Sequence, residues 1–353
     1  MSRTNRFGRR SRRSLLTAVA VFVTGVVFAA CGSSSTPSGT TVNAAAGGAV
    51  AANSSSSAAA SPASAPYTVN FSYIGSTPGL TGPWGFAYTK GVLQRWLKAD
   101  GVTLKLSEFA NGPLMTAAMT GGSVDMGVLG DTPALIAKSQ GLQATAISQP
   151  ELNLVAWVIA QPSIHSLSQL SGKTVAVQQG SYLDRYFQGL LAQDGLTSKV
   201  HRVAMLSTQS TPAFEGGHLD AVLAAPTQWP ALLKTGKGYN VIAKSETTPS
   251  LEGTQVTLAT DKFLAAHPGL PKVWNAVRVK SVAYAKAHSA AYYAWAAKQA
   301  NTTPAATEQA APLSAYPIPN FTTVGTQHLR STLNFLIAQK EAKPFSIQQW
   351  ELQ

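Results

Sequence analysis

Residues 125–134 read DMGVLGDTPA, an apolar run that ends at Gly130-Asp131-Thr132-Pro133 and leads into a stretch of helical composition. A short apolar run, a polar turn and a helix form the repeating unit of a parallel α/β sheet. Asp131 or Thr132 can cap such a helix, and Pro133 is favoured in its first turn. The junction therefore predicts a strand followed by a capped helix. It leaves open whether Asp131 also contacts a ligand.

The same unit recurs from Tyr67 to residue 260. The predicted strands are 67–74, 103–109, 125–129, 144–148, 153–160, 173–178, 200–206, 220–225, 239–243 and 255–260. The predicted helices between them are 85–99, 113–120, 133–140, 182–194, 209–217 and 227–236. This alternation predicts an α/β fold, and so many strands favour two sheets over one. Beyond residue 260 the pattern is helical, at 271–287, 289–300 and 323–340.

The N-terminus has the order of a bacterial lipoprotein signal peptide. A basic segment is followed by a largely apolar run over 15–30 and then by Cys31, the one cysteine in the chain. The apolar run is shorter than the ~20 residues that span a bilayer. We expect cleavage after residue 30 and a lipid on Cys31, which would hold the protein on the outer face of the cytoplasmic membrane. The pair Arg12-Arg13 leaves twin-arginine export open beside the general route.

Residues 31–66 are predicted to tether the folded part to that anchor. After Cys31 the stretch consists mainly of Ser, Ala, Gly, Thr and Pro, without charged or aromatic side chains before residue 67. Such a composition cannot bury enough apolar surface to offset the entropy of ordering the chain. A flexible linker is the expected structure.

Charge and cysteine content exclude several classes of protein. Lys and Arg number 27 against 15 Asp and Glu, but six of the arginines precede residue 14. The remaining basic residues are spread along the chain, which suits a small anionic ligand and does not indicate a nucleic-acid partner. A single cysteine excludes an intrachain disulfide and a cysteine-based metal site.

Catalytic motifs are absent from the sequence. The six histidines have no metal-ligand spacing, and no GxSxG, phosphate-binding P-loop or GxGxxG motif is present. This absence predicts a binding protein without a cofactor or metal, and not an enzyme.

Polar turns recur instead at the predicted carboxyl ends of the strands, where ligands bind in open parallel sheets. There the helix N-termini present N–H groups and the positive end of the helix dipole, which can hold an anion. Each turn can equally be an ordinary helix cap. The turns are Asn111-Gly112-Pro113, Gly130-Asp131-Thr132-Pro133, Gln179-Gly180-Ser181, Ser207-Thr208 and Pro226-Thr227.

Several motifs together resemble one known family. They are EFANGP at 108–113, GGSVDMG at 121–127, GDTP at 130–133, SQLSGKTVAV at 168–177, Gly180-Ser181 and AFEGGHLDA at 213–221. The sequence resembles the solute-binding proteins of ABC importers for aliphatic sulfonates, taurine and nitrate, a group that includes binders of thiamine-precursor pyrimidines. The likeness covers nearly all of residues 67–340.

The resemblance implies a type II periplasmic-binding fold, with two α/β lobes around a ligand cleft. Crossovers are expected near 158–163 and 250–256, so that lobe one takes 67–160 plus 253–353 and lobe two takes 161–252. The implied function is capture of a small solute by closure of the cleft, followed by delivery to a permease driven by an ATPase. Both partners would be separate chains, and the binding protein itself is expected to be a monomer.

The resemblance leaves the ligand open between a small anion, such as an aliphatic sulfonate, taurine or nitrate, and a heteroaromatic pyrimidine. Enzymes that resemble this family depend on a cysteine-rich motif, which the chain lacks after Cys31. Three departures fall at the cleft. Gln149-Pro150 stands where the family often has Glu-Pro, Ala224-Ala225-Pro226 where it often has Trp-Asp-Pro, and the first loop at 75–84 is longer and richer in Gly and Pro than usual.

The implied ligand-binding residues are Tyr73, Ser76, Gly112, Pro113, Gly130, Asp131, Gln149, Gly180, Ser181, Tyr182, Pro226, Thr227 and Trp229. The aromatic rings of Trp84, Tyr182 and Trp229 could stack on a flat ligand or pack the starts of helices. A carboxylate that faces an anion would repel it. Asp131 is therefore expected either to turn into its own helix or to meet a cationic group of the ligand.

Overall fold

The computed structural model describes residues 65–75, 79–225 and 228–352. The predicted signal peptide, Cys31 and the predicted linker up to residue 64 lie outside these residues, as do Ser76, Pro226 and Thr227. Within the described residues, ten strands form two five-stranded sheets flanked by helices. The predicted α/β fold with two mixed sheets is confirmed.

The first sheet has the strand order β2-β1-β3-β10-β4. Its strands are β1 (Tyr67–Ile74), β2 (Val102–Phe109), β3 (Met126–Gly130), β4 (Ala144–Ser148) and β10 (Gln255–Thr260). β1 runs parallel to β2 and β3, whereas β10 runs antiparallel to β3 and β4.

The second sheet repeats this arrangement with the order β7-β6-β8-β5-β9. Its strands are β5 (Trp157–Ala160), β6 (Thr174–Val177), β7 (His201–Ala204), β8 (Ala221–Ala224) and β9 (Asn240–Lys244). β6 runs parallel to β7 and β8, and β5 runs antiparallel to β8 and β9. In each sheet the antiparallel strand is the first that the chain forms after it arrives from the other sheet.

The lobe boundary predicted at residue 160 is wrong. β5 pairs with β8 and β9, so the first crossover lies between Ser148 and Trp157 and not at 158–163. The sequence could not reveal this, because 153–160 is almost uniformly apolar and says nothing about which sheet it joins. The chain returns between Lys244 and Gln255, a segment that overlaps the predicted 250–256. Lobe one below means the first sheet with its helices, and lobe two means the second.

The inner strands β3, β5, β6 and β8 are largely buried and apolar because helices cover both faces of their sheets, whereas the edge strands β2 and β7 are partly or fully exposed. Trp157 and Ile159 of β5 belong to an apolar cluster on one face of the second sheet. Val158 and Ala160 point to the other face and join a second cluster with the residues of α5. Continuous apolar runs are therefore the expected pattern for these strands, in contrast to the alternation of a half-exposed sheet.

Most helices lie close to their predicted positions. Those before β10 are α1 (Gly82–Thr89), α2 (Val92–Ala99), α3 (Gly112–Thr120), α4 (Asp131–Ser139), α5 (Tyr182–Gln193), α6 (Ser207–Glu215) and α7 (Trp229–Leu233). Those after it are α8 (Asp261–Ala266), α9 (Leu270–Ala287), α10 (Ser289–Gln299), α11 (Pro304–Ala310), α12 (Thr323–Ala338) and α13 (Ile347–Trp350). The predicted helix 85–99 is two helices, because Gly91 adopts a left-handed φ of 68° between them. No helix in the described part of the chain is long and apolar enough to cross a bilayer.

The C-terminal helices pack mainly on lobe one. α9 lies against α1 and α2, and α12 lies against α4. The end of the chain adds to the edge of the first sheet, where the indole Nε1 of Trp350 donates to the carbonyl of Ala144 (3.0 Å) and the amide of Leu352 donates to that of Ala146 (2.8 Å).

A buried arginine fixes the loop that follows α11. The guanidinium of Arg278 on α9 donates to the carbonyls of Pro317, Ile318 and Pro319. Burial lowers its pKa to about 10, so the side chain still carries its charge at neutral pH. This clamp holds the loop that carries Tyr316, whose side chain reaches the space between the lobes.

Candidate functional site

A cleft of about 240 Å³ lies between the two lobes, at the carboxyl ends of their parallel strands. Lobe one contributes Tyr73, Asn111, Gly112 and Gly130, which end or follow β1, β2 and β3. Lobe two contributes Ser181, Tyr182 and Ser207, which follow β6 and β7. The C-terminal helices close a third side with Tyr292, Trp295 and Tyr316. These residues and the other residues that line the cleft are called the cleft wall below.

The structure brings five of the predicted site residues together in the cleft wall: Tyr73, Gly112, Gly130, Ser181 and Tyr182. Pro113 and Gly180 lie beside it and approach each other from opposite lobes, since a Cβ added to Gly180 would lie 3.4 Å from the Pro113 ring. Ser76, Pro226 and Thr227 fall outside the described residues. Asp131, Gln149 and Trp229 lie elsewhere.

The N-terminus of α5 is built by the sequence Gly180-Ser181. Ser181 caps the helix by accepting a hydrogen bond from the amide of Asp184 (3.3 Å). The Asp184 carboxylate in turn accepts from the Gly180 amide (3.2 Å) and pairs with Arg202 (2.8 Å). Gly180 has a left-handed φ of 73°, which a larger residue adopts only with strain.

The N-terminus of α3 depends on a close approach to α4. Asn111 caps α3 by accepting from the amide of Leu114 (2.9 Å). A Cβ on Gly112 would lie 2.3 Å from the Pro133 ring, so only glycine lets the two helix starts meet. The pairing of Gly112 with Pro133 thus sets where the Gly112 amide lies at the cleft, since Pro113 has no N–H and the Leu114 amide is bound by Asn111.

Tyr182 lies at the contact between the lobes. Its ring packs against Gly130 of lobe one and Gly253 of the return crossover, where an added Cβ would lie 3.3 Å and 3.2 Å away. Its hydroxyl donates to the carbonyl of Val155 in the first crossover (3.2 Å). One side chain therefore contacts both crossovers and the cleft.

Asp131 does not line the cleft. Its buried carboxylate accepts from the amide (2.6 Å) and hydroxyl (3.0 Å) of Thr132, the amide of Thr254 (3.2 Å) and the hydroxyl of Thr332 (3.1 Å). Its own amide donates to the carbonyl of Thr254 (2.8 Å). Gly130 is the N-cap of α4, and Asp131 occupies the first helical position. The carboxylate thus binds its own helix start, the return crossover and α12.

Two further predicted residues serve packing. The amide side chain of Gln149 is buried against Gly325 of α12, and its backbone amide donates to Asn320 (2.7 Å). Trp229 stacks on Trp157 in the core of lobe two, with ring centroids 4.0 Å apart. By contrast Trp84 lines the cleft and meets Tyr316 edge to face.

The sequence interpretation missed Glu151, the one ionisable carboxyl in the described cleft wall. Burial raises its pKa to about 7, and a hydrogen bond with Tyr316 partly opposes that rise. None of the described wall residues is Lys, Arg or His. The signal was present two residues beyond Gln149, where an acid directly follows Pro150 at a predicted strand end.

The cleft wall is otherwise rich in aromatic side chains: Tyr73, Trp84, Tyr182, Tyr292, Trp295 and Tyr316. Burial raises the pKa values of Tyr182, Tyr292 and Tyr316 above the usual phenol range. Their hydroxyls therefore stay protonated at neutral pH. Within the described residues, no three His, Cys, Asp or Glu side chains come together in a way that could hold a metal ion.

The model of the family described as "NMT1/THI5 like" matches residues 87–291, more than half of the chain. The chain belongs to the NMT1/THI5-like family. A relative in Escherichia coli, named as an aliphatic sulfonates-binding protein, is 28% identical over 165 residues. That match covers 46% of this chain and 49% of the relative, so the chain spans about half the length of that relative.

Solved structures share the fold at low sequence identity. The alkanesulfonate-binding protein SsuA from Xanthomonas axonopodis pv. citri, bound to MOPS, superposes with a TM-score of 0.69 at 17% identity, over 82% of this chain and 99% of that one. A mutant of the desulfurization enzyme DSZB, in complex with biphenyl-2-sulfinic acid, gives 0.58 at 15% identity, over 80% and 96%. Binding proteins and an enzyme therefore share this architecture.

The placement of Asp131 gives a first prediction. Asp131→Asn replaces one acceptor oxygen by an NH₂ group that faces donors, so the free energy of unfolding should fall by about 1–3 kcal/mol. Affinity for an amino-sulfonate and for a plain sulfonate should change by the same factor, since the side chain lies outside the cleft. Urea unfolding and titration calorimetry measure the two effects.

Asp194→Asn, at the exposed end of α5, is the matched control and should alter neither quantity. A loss confined to the amino-sulfonate would show that Asp131 reaches the ligand.

Proposed function

We propose that this protein is the extracytoplasmic solute-binding component of an ABC importer. It captures a small anionic solute, such as an aliphatic sulfonate, taurine or a nitrate-like anion, and delivers it to a permease powered by a separate ATPase. The name of the Escherichia coli relative and the shared architecture support this proposal. No nucleic acid takes part, and the protein acts as a monomer.

One observation carries the anionic character of the solute. The starts of α3 from lobe one and of α5 and α6 from lobe two meet in one cleft, through Gly112, Ser181 and Ser207. The first N–H groups of a helix have no acceptor within the helix, and they lie at the positive end of its dipole. Converging helix starts can hold a sulfonate without a basic side chain.

The aromatic wall also suits the second candidate, a heteroaromatic solute of the thiamine-precursor type. Tyr and Trp faces stack on flat rings, whereas an alkyl sulfonate uses them only as an apolar surface. We retain the sulfonate as the leading solute because the helix starts on both lobes present donors to a compact anion. A pyrimidine that outcompetes every sulfonate would favour the alternative.

An enzyme on this fold is the less favoured reading. The described cleft wall contains neither a thiol nor a histidine, and Cys31 is the one cysteine in the sequence. Acyl or group transfer by a nucleophile therefore has few candidate residues here. Release of sulfite from any sulfonate would contradict the binding-only function.

Sulfonate binding is the second prediction. Alkanesulfonates, taurine or nitrate should raise the melting temperature of the purified protein, and a solute at 100 times its Kd should add about 2.7 kcal/mol of stability. The corresponding alkyl alcohols should have no effect, because they lack the anion. If no anion of this panel stabilises the protein, the proposed function is wrong.

Gly112→Ala tests the site within the same assay. The added methyl would lie against Pro133 and displace the start of α3, so sulfonate affinity should fall at least tenfold, about 1.4 kcal/mol. Gly121→Ala at the other end of α3 is the control, since its Cβ would meet its nearest neighbour at an ordinary 3.5 Å. Equal affinities of the two variants would place the anion elsewhere.

Membrane attachment is the third prediction, and it concerns residues outside the described part of the chain. We propose that the mature protein begins at Cys31 and is held at the outer face of the membrane by a lipid on its sulfur. Cys31→Ser should move the protein from the membrane to the soluble fraction and abolish labelling by a fatty acid. A variant that still labels would show that the anchor lies elsewhere.

A further inference from the structure

The cleft wall combines two features that a site for a plain anion does not need. Its one ionisable carboxyl among the described residues, Glu151, faces the same space as the helix starts. Like charges that share a desolvated site repel, so a carboxylate there weakens the binding of a simple sulfonate. Glu151 therefore indicates that the solute carries a second group, of positive charge.

Glu151 is held firmly in place. Its carbonyl accepts from the amide of Gln255 (2.8 Å) and the hydroxyl of Thr254 (2.8 Å), so the two crossovers fix its backbone. Its side chain is hydrogen-bonded to Tyr316, which is also hydrogen-bonded to Tyr292. The clamp of Arg278 on residues 317–319 fixes the loop behind Tyr316.

The described cleft wall contains no basic side chain that could pair with this carboxyl, and Tyr316 is the hydrogen-bond partner that affects its pKa. Arg185 is directed instead at the carbonyls of Leu251 and Glu252. A buried carboxylate is normally paired, so a cationic partner from outside would complete this one.

The surroundings suit such a cation. Aromatic rings from three sides line the space: Trp84 from α1, Tyr182 from α5, and Tyr292, Trp295 and Tyr316 from the C-terminal region. Aromatic faces attract ammonium groups, and the attraction strengthens where water is displaced. A carboxyl within an aromatic enclosure is a common arrangement for recognising a charged nitrogen.

We propose that Glu151, together with Tyr316 and Tyr292, forms a specificity subsite for a positively charged, hydrogen-bond-donating nitrogen of the solute. The preferred solute then carries its anionic group at the helix starts and a cationic nitrogen at Glu151. This inference rests on the proposed function for the anionic end alone.

The proposal fixes the sign of the pH dependence. Ionisation of Glu151 strengthens binding of a cationic nitrogen and weakens binding of a solute that has only a sulfonate. The titratable groups that face Glu151 are Tyr182, Tyr292 and Tyr316, whose raised pKa values keep them neutral here. Asp131 also acts on Tyr182, from α4, and its carboxylate accepts four hydrogen bonds outside the cleft.

The test compares 3-aminopropanesulfonate with propanesulfonate, which differ in the nitrogen, by titration calorimetry between pH 5.5 and 8.5. The wild-type protein should bind the amino compound at least tenfold more tightly at pH 8. Affinity for the amino compound should rise with pH and affinity for the plain sulfonate should fall, both through the range around pH 7.

Glu151→Gln should remove the preference and both pH trends while it retains sulfonate binding. Glu308→Gln, on the exposed side of α11, removes a negative charge outside the cleft wall. This control should leave the preference, both pH trends and sulfonate binding unchanged. Tyr316→Phe removes the hydrogen bond that lowers the pKa of Glu151, so the midpoint of both trends should move to higher pH. This variant keeps the test decisive if Glu151→Gln does not fold.

Parallel pH trends for the two sulfonates, or equal losses in Glu151→Gln, would overturn the subsite and leave the proposed function standing. Failure of both sulfonates to bind the wild-type protein would overturn the proposed function, and the subsite with it.

Discussion

The hydrogen bonds of one buried carboxylate fix how this chain closes on itself. Asp131 binds the start of its own helix, Thr254 of the return crossover and Thr332 of α12, which follow it by 123 and 201 residues. All of these partners are donors, and the buried guanidinium of Arg185 also interacts electrostatically with this carboxylate. The same contact sets β10 beside β3, with Gln255 opposite Gly130. Lobe one is therefore complete only with the segments that follow lobe two in the chain.

Both lobes form hydrogen bonds with the return crossover, on either side of Gly253. Arg185 of lobe two donates to the carbonyls of Leu251 (2.9 Å) and Glu252 (2.8 Å), while Asp131 of lobe one holds Thr254. Gly253 lies between the two attachments, against the ring of Tyr182. Lobe closure about such a segment needs changes in a few dihedral angles only. A hinge in this segment would lie beside the cleft wall, close to Glu151 of the first crossover.

The sequence predicted the elements well and their assignment to lobes less well. The strand–turn–helix unit at 125–134 and its repeats gave the ten strands close to their observed bounds, because buried parallel strands are continuous apolar runs. The same uniformity concealed that β5 belongs to lobe two. Gly91 in the middle of a helical pattern was a visible signal for the break between α1 and α2.

The residues of the candidate site were likewise predicted only in part. Glycine and small polar residues at strand ends marked Gly112, Gly130 and Ser181, since position in the fold alone brings them to the cleft. The direction of a side chain could not be foreseen. Asp131 turns away because its neighbour Thr132 and two threonines from distant segments, Thr254 and Thr332, supply donors, and Trp229 turns away because Trp157 offers a stacking partner. Glu151 was missed although an acid after Pro150 was visible in the sequence, because its place in the wall depends on the first crossover.

Small-angle X-ray scattering with and without a saturating alkanesulfonate tests most directly that the solute binds between the lobes. Enclosure of the solute by both lobes should reduce the radius of gyration of the protein. The Gly112→Ala variant should require more sulfonate to reach the same reduction. Scattering that stays unchanged while calorimetry shows the sulfonate to be bound would contradict binding in this cleft.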